Sequence, residues 1–134
     1  MGKSGTGTED DRTYPWGEEA DPNRANYLET NINATSAVGC FSKGARPYGI
    51  EEMSGNVWEW TRSVYEEKPY RGERKSWAKR EDLTAGVDED RVLRGGSWLS
   101  GDNDLSCANR LSCGPDDWSD DVGLRVVASP FSSR

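Results

Sequence analysis

Apolar residues in this chain fall into short clusters separated by long polar stretches, and no window carries the i, i+3, i+4, i+7 spacing of a long amphipathic helix. Where clusters occur, they alternate. RVLRGGSW (residues 91–98) and VGLRVVAS (residues 122–129) both hold β-branched residues and predict a pair of inner strands. In the second, Val122, Leu124 and Val126 are expected to face one side, and Arg125 and Val127 the other. Asn56–Trp60 follows turn positions at Gly49 and Gly55 and predicts a short strand entering the core. Residues 28–40 alternate weakly and end in AVGCF, which predicts one more short strand, and Leu105–Leu111 fits a short turn.

Between these elements the chain is punctuated by Gly, Pro and charge. Residues 1–13 (MGKSGTGTEDDRT) have the composition of a flexible lead-in. Residues 14–27 place Pro15, Gly17 and Pro22 among aromatics, predicting an irregular loop pinned by Trp16. Residues 62–90 are the most charged part, with Tyr65, Tyr70 and Trp77 spaced among Glu, Lys and Arg, and read as a long surface excursion.

One polar run does not follow the rest. Glu and Lys are used freely up to residue 98, yet neither occurs in residues 99–134. Residues 99–121 (LSGDNDLSCANRLSCGPDDWSDD) connect two expected core strands with Asp, Ser, Gly and Asn, interrupted by Leu99, Leu111, Cys113 and Trp118. An ordinary turn-rich loop explains the small polar residues. It does not explain the isolated apolar ones.

With 134 residues the chain is sized for one domain, and six Trp, five Tyr and fifteen Gly suggest a core that leans on Trp within a loop-rich globule. The net charge of −7 argues against a nucleic-acid partner, whose phosphates require Lys and Arg. No apolar run approaches the ~20 residues needed to cross a bilayer, so no membrane insertion is expected and the chain reads as soluble. Histidine is absent, which removes Ser-His-Asp and Cys-His catalysis. Cys40, Cys107 and Cys113 are spaced as neither a disulfide framework nor a metal knuckle. Asn103, between Asp102 and Asp104, lacks the EF-hand glycine and glutamate around it, so these acids read as solvated. The Asn33–Thr35 triplet matters only in a secreted chain. Arg91, Arg94 and Arg125 are expected to stack on aromatics or pair with acids.

Taken in order, Tyr14–Gly17 (YPWG), Ala25–Tyr27, Val38-Gly39, Pro47–Ile50, Met53–Thr61 (MSGNVWEWT), Arg91–Trp98, Ala108–Arg110 and Val122–Val127 resemble the formylglycine-generating enzyme (sulfatase-modifying factor) family. The resemblance implies an α+β, compact and loop-rich C-type lectin-like fold spanning residues 14–130. The fold is expected to be N-terminally pruned, because family members usually carry a further N-terminal half. It also implies a comparison with the family's oxidases, which hold copper on a cysteine pair soon after the GGSW or GGSY string. Here Ser100 stands where the first cysteine would fall. A hydroxyl is neither soft nor anionic at neutral pH, so no copper and no oxidase activity are expected. A displaced pair, Cys107 with Cys113, is the alternative.

A second group with this fold resembles the chain more closely: the variable proteins of diversity-generating retroelements, ligand-binding receptors of phage, bacteria and archaeal viruses. In that group the segment after GGSW is rewritten at adenines, largely within AAC codons, which can yield Asp, Ser, Gly, Cys, Leu or Asn but never Lys, Glu, Gln, Met or Trp. Only Trp118 needs another codon. The resemblance implies a non-enzymatic receptor with segment 99–121 as its variable surface. The candidate ligand-binding residues are Leu99, Ser100, Gly101, Asp102, Asn103, Asp104, Ser106, Leu111, Ser112, Cys113, Gly114, Asp117, Trp118, Ser119, Asp120 and Asp121. Ala108–Arg110 is expected to anchor the middle of the segment through Arg110. Acids around Leu99, Leu111 and Trp118 favour a protein or cell-surface ligand with a basic patch, with Trp118 as the anchor. Display on a virion or cell surface through another component is the expected setting. The rival reading is a fragment or divergent relative of an oxidase acting on a sulfatase cysteine.

Residues 51–60 also resemble the family's calcium loop. Carried over, the Ca²⁺ ligands are the side chains of Glu52 and Glu59 and the carbonyls of Gly55 and Val57, Glu52 being longer than the Asn or Asp usual there. The alternative is a metal-free turn held by Trp58 and Trp60. Asn26 corresponds to a second calcium site of the family, whose following loop is shortened here.

Overall fold

The computed structural model describes residues 12–44, 49–67, 82–84 and 86–128. Its frame is a four-stranded mixed sheet of β1 (Trp58–Val64), β2 (Arg91–Arg94), β3 (Leu111–Cys113) and β4 (Val122–Gly123), in spatial order β3-β2-β1-β4. β1 pairs antiparallel with β2 and parallel with β4, and β2 pairs antiparallel with β3. Among the described residues, short 3₁₀ turns at Leu28–Thr30, Ser42–Gly44 and Asp102–Leu105 complete the regular structure. This is the loop-rich C-type lectin-like architecture expected.

Several elements differ from expectation. The strand predicted at Asn56–Trp60 begins at Trp58 and runs on to Val64, because alternation of Trp58, Trp60 and Val64 against polar neighbours continues past Thr61. The two strands expected to pair with each other, β2 and β4, are separated by β1. β2 stops at Arg94 because Gly95 and Gly96 follow at φ +97° and +74°, a left-handed turn that leads the chain away from the sheet. Residues 28–40 form a 3₁₀ turn and loops in place of a strand, whereas the short turn expected within Leu105–Leu111 is present, the Asn109 amide donating to Ser106 O at 3.1 Å.

The largest correction concerns Val122–Val127. Only Val122 and Gly123 join the sheet; Leu124, Val126 and Val127 are exposed, Val126 by 84%. Among the described residues β4 has β1 on one side only, over two residues, and beyond it Arg125 is drawn back to Glu59. Alternation there marks an edge and not an inner strand. Expectations for Tyr70 and Trp77 lie outside the described residues, as does the lead-in up to Asp11. Arg12 and Thr13 are tied in: the Thr13 carbonyl accepts from the Cys107 amide at 2.7 Å.

Buried apolar residues lie in two places. Trp58, Val64, Val92 and Leu93 are buried on β1 and β2, Val92 and Leu93 on opposite faces of the sheet, while Tyr14, Ala25, Tyr27 and Leu105 form a second nucleus with Trp16 and Ala20 packed against it. Each fully buried large apolar side chain contributes about 1.5–3 kcal/mol. The second nucleus is built on tyrosine more than tryptophan: Tyr14 stacks on Trp16 with ring centroids 5.6 Å apart. Burial pushes the Tyr27 hydroxyl up to about 12, so it stays neutral.

The sheet and the tyrosine nucleus are tied together at residues 54–56. Gly55 sits at φ +84°, and a Cβ there would lie 2.5 Å from the Asn26 carbonyl oxygen, so no other residue fits. The Gly55 amide donates to Gly95 O, the Asn56 amide to Asn26 O, and the Trp98 amide to Asn56 O. This turn fixes the exit of β2, where the polar segment begins.

Candidate ligand-binding surface

Segment 99–121 leaves the sheet after β2 and returns at β4, and its base is closed by a clasp. The Ser97 hydroxyl, fully buried, donates to Asp121 Oδ2 at 2.7 Å, while Ser119 Oγ donates to Asp121 Oδ1. The Trp58 amide takes the Asp121 carbonyl at 2.8 Å. Ser100 turns inward beside Ser97: its hydroxyl accepts from the Ser97 amide at 2.9 Å, and its carbonyl accepts from the Leu28 amide. Both ends of the segment are thereby pinned to the frame.

Its middle is pinned as well. Leu105 is fully buried in the tyrosine nucleus, and its carbonyl accepts from the buried Ser54 hydroxyl at 2.8 Å. Gly96 passes so close beneath that a Cβ there would come within 3.0 Å of the Asp104 carbonyl. The Arg94 guanidinium donates to the carbonyls of Cys107 and Asn109. Arg110 anchors as expected, donating to Glu66 O at 3.0 Å and lying 4.9 Å from the Tyr65 ring centroid. β3 then lays Leu111, Ser112 and Cys113 along the edge of β2.

The pins divide the candidates into two sets. Ser100 is buried, Asp104 accepts from Asn109 Nδ2, Ser112 donates to Asp90, Asp117 accepts from the Gly114 amide, and Asp121 forms the clasp. Gly101, Ser106, Cys113 and Gly114 are half-buried. Leu99, Asp102, Asn103, Leu111, Trp118, Ser119 and Asp120 are exposed, with Asp116 beside them and Trp118 at 91%; Asp117 is exposed as well, although its carboxylate is held by the Gly114 amide. Ser54, Asp90, Arg94 and Leu105 are framework residues that no motif for binding would mark.

Two of the thiols, Cys107 and Cys113, lie in settings that favour the neutral form. Burial raises the Cys107 thiol above its ordinary range, and burial with the nearby carboxylates of Asp117, Asp90 and Asp121 raises Cys113. Both are therefore more fully protonated at neutral pH than free cysteine. Iodoacetamide at pH 7.5, followed by peptide mapping, is expected to modify these two positions more slowly than free cysteine, with rates climbing toward alkaline pH. Faster modification of either would contradict the assignment.

Glu52, Gly55, Val57 and Glu59 do converge, lining one cavity of about 220 Å³ together with Val38, Asn56, Leu124 and Arg125. The Arg125 guanidinium lies 2.8 Å from Glu59 Oε1, and Glu52 Oε1 accepts from the Gly39 amide at 3.0 Å. Asn26 is buried, donating to Ala34 O at 2.9 Å.

Residues 2–130 match the sulfatase-modifying factor enzyme 1-like domain. The chain belongs to that family. It is 32% identical over 133 residues to the mouse inactive C-alpha-formylglycine-generating enzyme 2, covering 88% of this chain and 37% of that protein. It is 39% identical over 93 residues to the hercynine oxygenase of Mycolicibacterium smegmatis, covering 65% of this chain and 21% of that enzyme. The chain thus spans well under half the length of either relative. Among solved structures it is similar to Treponema denticola variable protein 1, with a TM-score of 0.58 and 25% identity over 76% of this chain and 34% of that one. The family contains inactive proteins and oxygenases alike. The likeness to a variable protein agrees with the subgroup that the sequence resembles.

Proposed function

We propose that this protein is a non-enzymatic receptor of the variable-protein type, with segment 99–121 as a surface diversified by a retroelement. The observation that carries the reading is the division of that segment. Inward residues (Ser100, Leu105, Asp121) and framework partners (Ser54, Arg94, Ser97) hold its backbone, while outward positions from Leu99 to Asp120 carry residues that adenine mutation of AAC codons yields, Trp118 excepted. Such an arrangement separates binding from stability, as loops on a rigid frame do.

Recognition then rests on Trp118, Leu111 and Leu99 as apolar contacts, with Asp102, Asp116 and Asp120 as an acidic rim. That chemistry suits a protein or cell-surface ligand with a basic patch, met on a virion or cell surface where another component displays the domain. Among the described residues, no helix is long and apolar enough to cross a membrane. The reading as a non-enzyme is supported by Ser100 at the position of the first copper cysteine, by raised thiols and by similarity to an inactive relative.

The similarity to an oxygenase keeps one rival in view, a divergent oxidase acting on a sulfatase cysteine. Sequencing the DNA that encodes residues 91–134, with its flanks, separates the two. The receptor reading predicts outward codons ending in C and a nearby repeat that differs only where it has adenine, beside a reverse-transcriptase gene. Mixed codons with no repeat, together with thiol oxidation in the presence of copper, would transfer the assignment to the oxidase. Once a ligand is in hand, Trp118→Ala is expected to weaken binding by roughly 30-fold or more, the effect of losing a central aromatic anchor.

A further inference from the structure

The cavity between β1, β4 and the loop at residues 51–57 gathers the two carboxylates and two carbonyl-bearing residues that resemble a calcium site, yet it already contains a cation. Arg125 reaches back from the end of β4 and spends its planar fork there. Nε donates to both Glu59 oxygens, at 3.1 and 2.9 Å, and Nη2 donates to Glu59 Oε1 at 2.8 Å. Nη2 also donates to the Glu52 carbonyl at 2.9 Å, and Nη1 to the Glu51 carbonyl at 3.0 Å. Guanidinium geometry suits this mixture of carboxylate and carbonyl acceptors in one plane.

The other carboxylate is also committed. Glu52 sits at φ +54°, an uncommon conformation for a side chain of this size, and its carboxylate caps the Gly39 amide. A divalent ion bound to both Glu52 and Glu59 would share the Glu52 carboxylate with that amide, and would sit next to a guanidinium of like sign. Calcium affinity depends on the charge of the ligand set, and here Arg125 neutralises one of the two acids.

We infer that Arg125 is the resident cation of this loop, doing with a guanidinium what a bound calcium ion would do, so that the loop keeps its shape without a divalent metal. The inference concerns the frame and does not depend on what segment 99–121 binds. It assigns Arg125 as the tie between the end of β4 and two segments that lie 66 to 74 residues earlier, β1 and the turn at residues 51–52.

The test is the melting temperature of the full chain, freed of metal with EGTA, measured in EGTA and again in about 5 mM CaCl₂, enough to fill sites as weak as those of extracellular calcium modules. The two values are expected to agree within about 1 °C, against the several degrees that a filled native-state site adds. A rise of several degrees on adding calcium would overturn the inference. A double-mutant cycle with Arg125→Met and Glu59→Gln supplies the second arm. The melting-temperature loss from Arg125→Met is expected to shrink by at least half when Glu59→Gln is already present; additive losses would overturn the pairing. If Arg125→Met does not fold, Arg125→Lys, which keeps the charge without the fork, takes its place in the cycle.

Discussion

Replacing Leu105 by alanine is expected to lower the melting temperature by roughly 10 °C, although Leu105 lies inside the most variable-looking stretch of the chain. Its side chain is fully buried among Tyr14, Ala25 and Tyr27, so truncation loses the transfer energy of the removed atoms and leaves a cavity. Such replacements cost about 2–5 kcal/mol, and in a domain of this size each kcal/mol corresponds to a few degrees. The Ser54 hydroxyl and Leu105 carbonyl would also lose their fixed geometry. Trp118→Ala is the contrasting case in the same segment. Trp118 is 91% exposed, so its removal is expected to change stability by less than about 0.5 kcal/mol. Thermal unfolding of the two variants side by side checks both values, and equal losses would mean that the segment is not divided into pinned and displayed positions.

The second large effect is expected at the clasp. Asp121→Ala leaves the buried Ser97 hydroxyl without its acceptor and frees Ser119, at a cost of about 2–3 kcal/mol for a hydrogen bond to a charged group lost in a buried setting. Asp121→Asn keeps an acceptor oxygen where Oδ2 lies and is expected to cost less than half as much. The comparison separates acceptor geometry from charge. Urea unfolding gives both values, with an unchanged m-value if the two variants unfold from the same compact state. If Asp121→Ala is neutral, the return of the segment to β4 is held by the Trp58 amide and the strand pairing alone.

These two positions show where sequence reasoning reached its limit. The landmarks from YPWG to the final VGLRVV string announced the fold, because glycines at special turns and aromatics at fixed spacing are tied to backbone geometry. Gly55, with its Cβ excluded by the Asn26 carbonyl, is one such constraint. The strand content was legible only in outline. Alternation in LRVV reads the same on an inner strand and on an edge, and only the order β3-β2-β1-β4 shows that nothing among the described residues pairs beyond β4.

Within residues 99–121 the chemistry of a side chain does not reveal its direction. Ser100 and Ser119 are the same residue, yet one is buried against Ser97 and the other exposed. Leu105 and Leu111 are likewise one residue in two environments: the 3₁₀ turn ends on Leu105 and places it in the core, whereas Leu111 opens β3 with its side chain exposed. Asp121 resembles the other acids of the segment until its partner, Ser97, is brought within 2.7 Å by the closure of the sheet. Arg110 was legible because a cation next to a small-residue motif needs acceptors. Arg94 donates to the carbonyls of Cys107 and Asn109, backbone acceptors that no side-chain pattern in the sequence marks.

The measurement that tests the central claim most directly is the stability of a chain in which the outward positions are changed together. Leu99, Asp102, Asn103, Leu111, Asp116 and Trp118 would be replaced at once by other residues that AAC-derived codons permit, with Ser100, Leu105 and Asp121 left in place. A display surface on an independent frame predicts a melting temperature within about 5 °C of the parent, since exposed substitutions are individually small and add when their sites do not touch. Loss of cooperative unfolding, or a fall as large as that from Leu105→Ala, would show that these side chains hold the fold together and would contradict the account.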